Sequence, residues 1–229
     1  LHDSDNVEVK VLVADLTQPD QLLEVEAELT ENPALDLLIN DAGFSGYMPF
    51  VELSPDVAEE LIRLKCVAVT RLTRAALPGM IARGRGNVIN VSSGMSFSGS
   101  APQTPQSVPR ATYAAVNGYI NVFSEVLNSE LTGTGVQIQV LCPAGLDSEF
   151  QKQWIKDFRE RVGAPPTKAG VNAMSPEQVV QASLASLRLG EVLCMPGLKE
   201  PSLLTQYWEA EGKLRAGVVP HTIAERYLE

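Results

Sequence analysis

The sequence predicts an α/β fold: a parallel sheet with helices on both of its faces. Short β-branched runs alternate along the chain with longer segments of helical apolar spacing, and turn or capping residues stand at the changeovers. Alternation of this kind builds βαβ units. No internal repeat, low-complexity tract or linker divides the 229 residues, so residues 1–229 are expected to form a single domain.

The elements follow in order. Val7–Ala14 (VEVKVLVA) alternates and then turns apolar, as a strand entering a buried sheet does. Gln18–Leu29 places Leu22, Leu23, Val25 and Leu29 at near-helical spacing and ends before Asn32-Pro33. Leu35–Asn40 is a second strand, closed by Asp41-Ala42-Gly43. Ser54-Pro55 opens a long helix, with Ser as cap and Pro at the first helical position, and a break is expected near Pro78-Gly79. Asn87–Ser93 is a third strand, and the Pro- and Ser-rich stretch Gly94–Arg110 is a loop. Ala111–Leu131 is helical, Val136–Cys142 is a fourth strand stopped by Pro143, and Asp147–Gly170 is a helical insertion. Ser175-Pro176-Glu177-Gln178 is a capping-box helix start, Val192–Pro196 a short last strand, and the remainder largely helical.

Composition narrows the function. Hydrophobic residues at 45% and charged residues at 20% are ordinary for a globular protein and exclude disorder. No apolar run is long enough for a membrane helix, and no leader pattern is present, so the expected compartment is the cytoplasm. A formal charge of -10 repels phosphate backbones, which argues against nucleic acid as a partner. Cys66, Cys142 and Cys194 lie in apolar runs and read as reduced core thiols. With only His2 and His221, both near the ends, neither a metal site nor a Ser-His-Asp site is expected.

Five short motifs stand in order. They are Asp15 in Ala14-Asp15-Leu16-Thr17, Asn40-Asp41-Ala42-Gly43, Asn90-Val91-Ser92-Ser93, Tyr113-Ala114-Ala115-Val116-Asn117 and Pro143-Ala144-Gly145. In this order the chain resembles a classical short-chain dehydrogenase/reductase, a Rossmann-type three-layer α/β sandwich, over nearly its full length. The resemblance implies Ser93 as the catalytic serine, Tyr113 as the catalytic tyrosine, and Asp15, Asn40, Ala42, Gly43, Pro143 and Gly145 as cofactor-binding residues. It also implies a homo-oligomer built through the helices of Ser54–Ala82 and Ala111–Leu131. In that chemistry a lysine one turn from the tyrosine makes the phenol, a poor base at neutral pH, a usable one.

Three departures stand beside the resemblance. The sequence begins at what would be the family's third strand, so the Gly-rich phosphate cradle and its βαβ portion are absent from it. The lysine of the Tyr-x-x-x-Lys pair is Asn117, and Lys65 stands at the family's asparagine position. Either Lys65 reaches the Tyr113 pocket in place of the lost lysine, or it points to water in a site no longer used. The spacing from serine to tyrosine is also longer than usual. Ser100 has the usual distance but lies in the loop, so the strand-anchored Ser93 is chosen.

Other residues carry two readings each. Asp41 is a buried carboxylate or a capped turn, and Trp154, Ile155 and Phe158 are a substrate lid or ordinary amphipathic packing. Ser148 stands at a cofactor-contacting position of the family. Leu204, Tyr207 and Trp208 are expected at an interface or in a core, and Arg71, Arg74, Arg83 and Arg85 on a solvated helix face.

The main functional expectation is a divergent family member with degenerate cofactor and catalytic sites. It would be non-redox: a pseudoenzyme, or a Tyr113/Ser93 acid–base catalyst on a small apolar carbonyl or alcohol. No cofactor is expected for this sequence, and NAD(P) if an upstream segment exists. The alternatives are an NAD(P)-dependent oxidoreductase and a non-catalytic scaffold.

Overall fold

The computed structural model describes residues 8–99, 107–147, 152–153, 155–156, 159–160, 173–218 and 222–228. Four parallel strands lie in the order β1-β2-β3-β4: β1 Leu37–Asn40, β2 Gly86–Val91, β3 Val136–Leu141 and β4 Leu193–Cys194. Leu38 pairs with Val88, Val88 with Ile138, and Val140 with Leu193. Successive side chains of a strand point to opposite faces, and β2 uses both. Val88 joins Leu38 and Ile138 beneath helices α1 (Pro19–Glu31) and α3 (Val69–Arg83), with Leu22, Leu72, Leu77 and Met80 completing that core. Helix α4 (Ala111–Glu130) covers the same face through Asn90 and Ser92, while Ile89 and Leu141 turn to the other face and meet Val179 of α5 (Pro176–Leu189). The result is the three-layer arrangement that the alternation of elements predicts.

By contact the chain divides into two units, Leu1–Pro196 and Gly197–Glu229. The first holds the sheet and all of the helices named above. The second holds α6 (Ser202–Ala216), where Tyr207 and Trp208 are exposed rather than in a core.

Several elements differ from expectation. Residues 8–14 form no strand, and Val11 and Val13 are 77% and 91% exposed. Their alternation suits a sheet, but a strand exists only when paired, and β1 at that side of the sheet pairs with β2 alone. Pro78 does not break its helix, because Leu77 and Met80 beside it are buried in the core and that burial outweighs one lost hydrogen bond. The interruption comes earlier: α2 (Pro55–Ile62) passes through a π-helical segment, Arg63–Ala68, into α3. Ser54 precedes α2 without a capping hydrogen bond from its side chain. Ser175, in contrast, makes the full capping box with Gln178.

Three of the four arginines expected on a solvated face also make links, although Arg85 remains exposed. Arg71 pairs with Glu26 of α1, Arg83 donates to the carbonyls of Pro33 and Leu35, and Arg85 pairs with Asp36 at 3.3 Å. They tie α3 and the turn after it to α1 and the segment leading into β1. Arg74 is exposed.

Candidate active site

The cavity opens at the carboxyl ends of the strands, where parallel sheets of this kind place their ligands. Its volume is about 650 Å³, within the range of small-molecule sites. The segments that follow β1, β2 and β3 build its walls, and Lys65 and Tyr113 enter from the helical layer. Gly43, Lys65, Ser93, Tyr113, Pro143 and Gly145 all line it, so six of the expected site residues meet in one space.

Ser93 follows β2 in an extended conformation, and its Oγ accepts from the Met95 N–H at 3.1 Å, capping the short 3-10 turn Gly94–Phe97. The turn is held to the next loop by Gly94 N–H donating to the Pro143 carbonyl at 2.9 Å. The 145–147 segment is in turn fixed against Met174 by two backbone hydrogen bonds. Accepting from Met95 leaves the Ser93 O–H to donate into the cavity.

Tyr113 sits in the first turn of α4, 8% exposed, with its ring against that of Tyr47 at a centroid distance of 4.6 Å and a tilt of 49°. The two phenols are hydrogen-bonded. Burial, then the field of Tyr113 and that hydrogen bond, push the Tyr47 phenol far above the usual range, while the Arg110 guanidinium opposes the shift. Tyr47 therefore keeps its proton.

Lys65 does not point to water. It is 4% exposed, and its Nζ donates to the Val91 carbonyl at 3.1 Å. Desolvation lowers its pKa, and the fields of Asp41 and Cys66 partly restore it. Asp41 itself is exposed, not buried. Gly43 makes the room: a Cβ there would lie 2.6 Å from Lys65 Cε and 2.9 Å from Nζ.

Asn117 is placed differently. It is fully buried, its Nδ2 donates back to the Tyr113 carbonyl at 2.8 Å, and it is not among the cavity-lining residues. Its Oδ1 is buried without a hydrogen-bond partner. Asn40 lies beneath the site and donates to Thr73 and Asn90, at 3.1 and 2.8 Å. Ala42 is exposed and off the cavity wall. Asp15 is also exposed and outside the cavity, with its carboxylate accepting from Thr17 N–H and Oγ1–H, which lowers its pKa. Ser100, Ser148, Trp154 and Phe158 lie outside the described residues, as do His2 and His221. Ile155 is described, in a helical stretch and partly buried.

Tyr47 is the cavity residue beside Tyr113 that sequence reasoning missed. It lies on a loop with no periodicity to expose it, and the only signal is the aromatic spacing of Phe44, Tyr47 and Phe50 directly after the Asn40–Gly43 motif. All three cysteines are free. Burial pushes the Cys142 thiol up to about 12, which makes it an inert core residue. Among the described residues no group of three or more His, Cys, Asp or Glu could hold a metal ion, and no helix is long and apolar enough to cross a membrane.

The family model described as short chain dehydrogenase matches residues 1–158. The chain belongs to the short-chain dehydrogenase family. Among its curated relatives are an NADP-dependent 3-hydroxy acid dehydrogenase of Salmonella typhi, 31% identical over 65% of this chain and 57% of that protein, and a very-long-chain 3-oxoacyl-CoA reductase of Bos taurus, 32% identical over 64% and 46%. The chain thus spans about half the length of the curated relatives it matches. A short-chain dehydrogenase of Sphingobium yanoikuyae, solved in complex with NADPH, superposes with a TM-score of 0.84 at 29% identity, covering 99% of this chain and 82% of that one. A bulky-bulky ketone specific alcohol dehydrogenase of Comamonas testosteroni gives 0.82 at 26%, covering 100% and 81%. Relatives named as dehydrogenases and reductases favour the NAD(P)-dependent oxidoreductase reading of this short-chain dehydrogenase over the non-redox reading that the departures from the family pattern suggested.

Proposed function

We propose that this short-chain dehydrogenase carries the substrate-reacting pocket of an NAD(P)-dependent oxidoreductase that interconverts an apolar ketone and its alcohol. The observation that supports it most is the meeting of Ser93 and Tyr113 in one cavity at the strand ends, beside Gly43, Pro143 and Gly145.

The nicotinamide end of a dinucleotide fits what is present. Gly43 is on the cavity wall with the end of Lys65 packed against it, and at Gly94 a Cβ would already touch the Pro143 carbonyl at 3.4 Å, so backbone forms the wall there. Gly43, Pro143 and Gly145 would hold that end. Asp15, outside the cavity, has no part in this fit. The dinucleotide supplies hydride chemistry, which no side chain can. The protein's own groups handle the oxygen and the proton. Ser93 donates a hydrogen bond to the substrate oxygen, and Tyr113 gives that oxygen its proton in the reducing direction. Tyr47 donates to Tyr113 and steadies the phenol while its proton is away.

The test is turnover of NADPH and of NADH with an aromatic ketone and a 3-oxoacyl thioester. Removing a general acid typically costs about 10²–10⁴-fold, so Tyr113→Phe should lose at least that lower figure, and Ser93→Ala should follow it in the same direction. Wild-type turnover retained by Tyr113→Phe, or none by the wild type with any pair, would overturn the reading.

A further inference from the structure

An ammonium in a protein interior is costly unless it is paired or used. Lys65 has one hydrogen-bond acceptor, the Val91 carbonyl, and among the described residues no carboxylate lies in ion-pair contact with it. Three N–H donors belong to an ammonium, so two remain for the cavity that the side chain lines. The position is built rather than incidental. Lys65 continues the buried stripe of Leu61, Ala68 and Leu72, within a π-helical segment of the kind that marks functional sites in helices. Gly43 clears the space for its terminal atoms. Among the described residues it is the one basic side chain on the cavity wall, while Asn117, on the tyrosine's own helix, turns back to the Tyr113 carbonyl.

We propose that Lys65 is a catalytic residue of this pocket: its ammonium binds the oxygen of the carbonyl or alcohol substrate, with Ser93 and Tyr113, and stabilises negative charge on it. This deepens the oxidoreductase reading and rests on it. Lys65 keeps its proton throughout and Tyr113 transfers the one that moves. The charge comes from a different helix than the tyrosine's, and Asn117 is left with the task of tying the Tyr113 backbone to α4.

The charged and titratable groups acting on Lys65 are Asp41 on the loop after β1 and Cys66 in its own segment, while the phenols of Tyr47 and Tyr113 line the same cavity. Because burial lowers the lysine's pKa, activity that needs the ammonium falls at a lower alkaline pH than an ordinary lysine would give.

The experiment compares wild type, Lys65→Met, Lys65→Ala and Tyr113→Phe, using NADPH and an aromatic ketone for turnover and the fluorescence of bound NADPH for nucleotide affinity. Loss of one charge-stabilising donor costs about 10²–10³-fold in kcat, the fall expected for Lys65→Met, with the NADPH Kd held within about 2-fold. The alkaline fall of activity should move to higher pH in that variant, and added ethylamine should restore part of the turnover of Lys65→Ala. A purely structural lysine gives neither effect. An active wild type with Lys65→Met unchanged in kcat, or changed only in NADPH affinity, overturns the lysine's role alone. A wild type without turnover overturns the oxidoreductase reading and the lysine's role with it.

Discussion

Asn40, Thr73, Asn90 and Ser124 form a chain of buried hydrogen bonds under the site, running from β1 and α3 through β2 to α4. Asn90 is its middle member and fully buried, so Asn90→Ala leaves Ser124 without its bond and Asn40 with one fewer. Each orphaned buried group costs about 1–3 kcal/mol, and a fall of about 2–3 kcal/mol in urea unfolding is expected. Lys65 makes a second prediction through its titration. Its folded pKa lies below the ordinary 10.5, so between the two values the unfolded chain binds more protons and stability rises with pH. Below the folded value the full cost of burying the ammonium is present. Lys65→Met should therefore exceed the wild type in stability most at the lower pH, and the wild type should close the gap as pH climbs toward 10.5. Equal curves for the two proteins would show that Lys65 is solvated.

At the scale of elements, local signals were legible and non-local ones were not. The capping box at Ser175 and Gln178 is written within four residues and forms as expected, so Ser175→Ala should cost about 1 kcal/mol. Gly135 carries a stricter demand. Its φ is +80°, and a Cβ would lie 1.9 Å from the Gly84 carbonyl oxygen, where two turns cross at the base of β3. Left-handed strain alone costs about 1–3 kcal/mol, so Gly135→Ala should exceed that range and lower the melting temperature markedly. The segment 8–14 shows the opposite case. Its alternation is a local property, whereas a strand requires a neighbour elsewhere in the chain. Lys65 escaped a firm reading for a related reason. Its place four residues after Leu61 was visible, but a lysine on a buried stripe makes sense only once Gly43, distant in sequence, is seen to clear its path.

For the whole molecule, the order of strands converts scattered motifs into one pocket. Asn40, Ser93 and Pro143 were legible because each ends or follows a strand, and parallel strands bring such ends to the same edge. Tyr47 was not, since a loop residue carries no period. Away from that edge the chain should be tolerant: Val11 and Val13 are exposed, and replacing both by Thr should leave unfolding free energy within about 0.5 kcal/mol. The cavity of Ser93, Tyr113 and Lys65 is proposed to reduce ketones with a pyridine nucleotide. Incubating the protein with an aromatic ketone and NADPH deuterated at the transferable position of the nicotinamide, then weighing the alcohol by mass spectrometry, tests it most directly. Deuterium should appear at the carbinol carbon with wild type and not above background with Tyr113→Phe. Unlabelled alcohol, no alcohol, or equal labelling by both proteins would contradict that proposal.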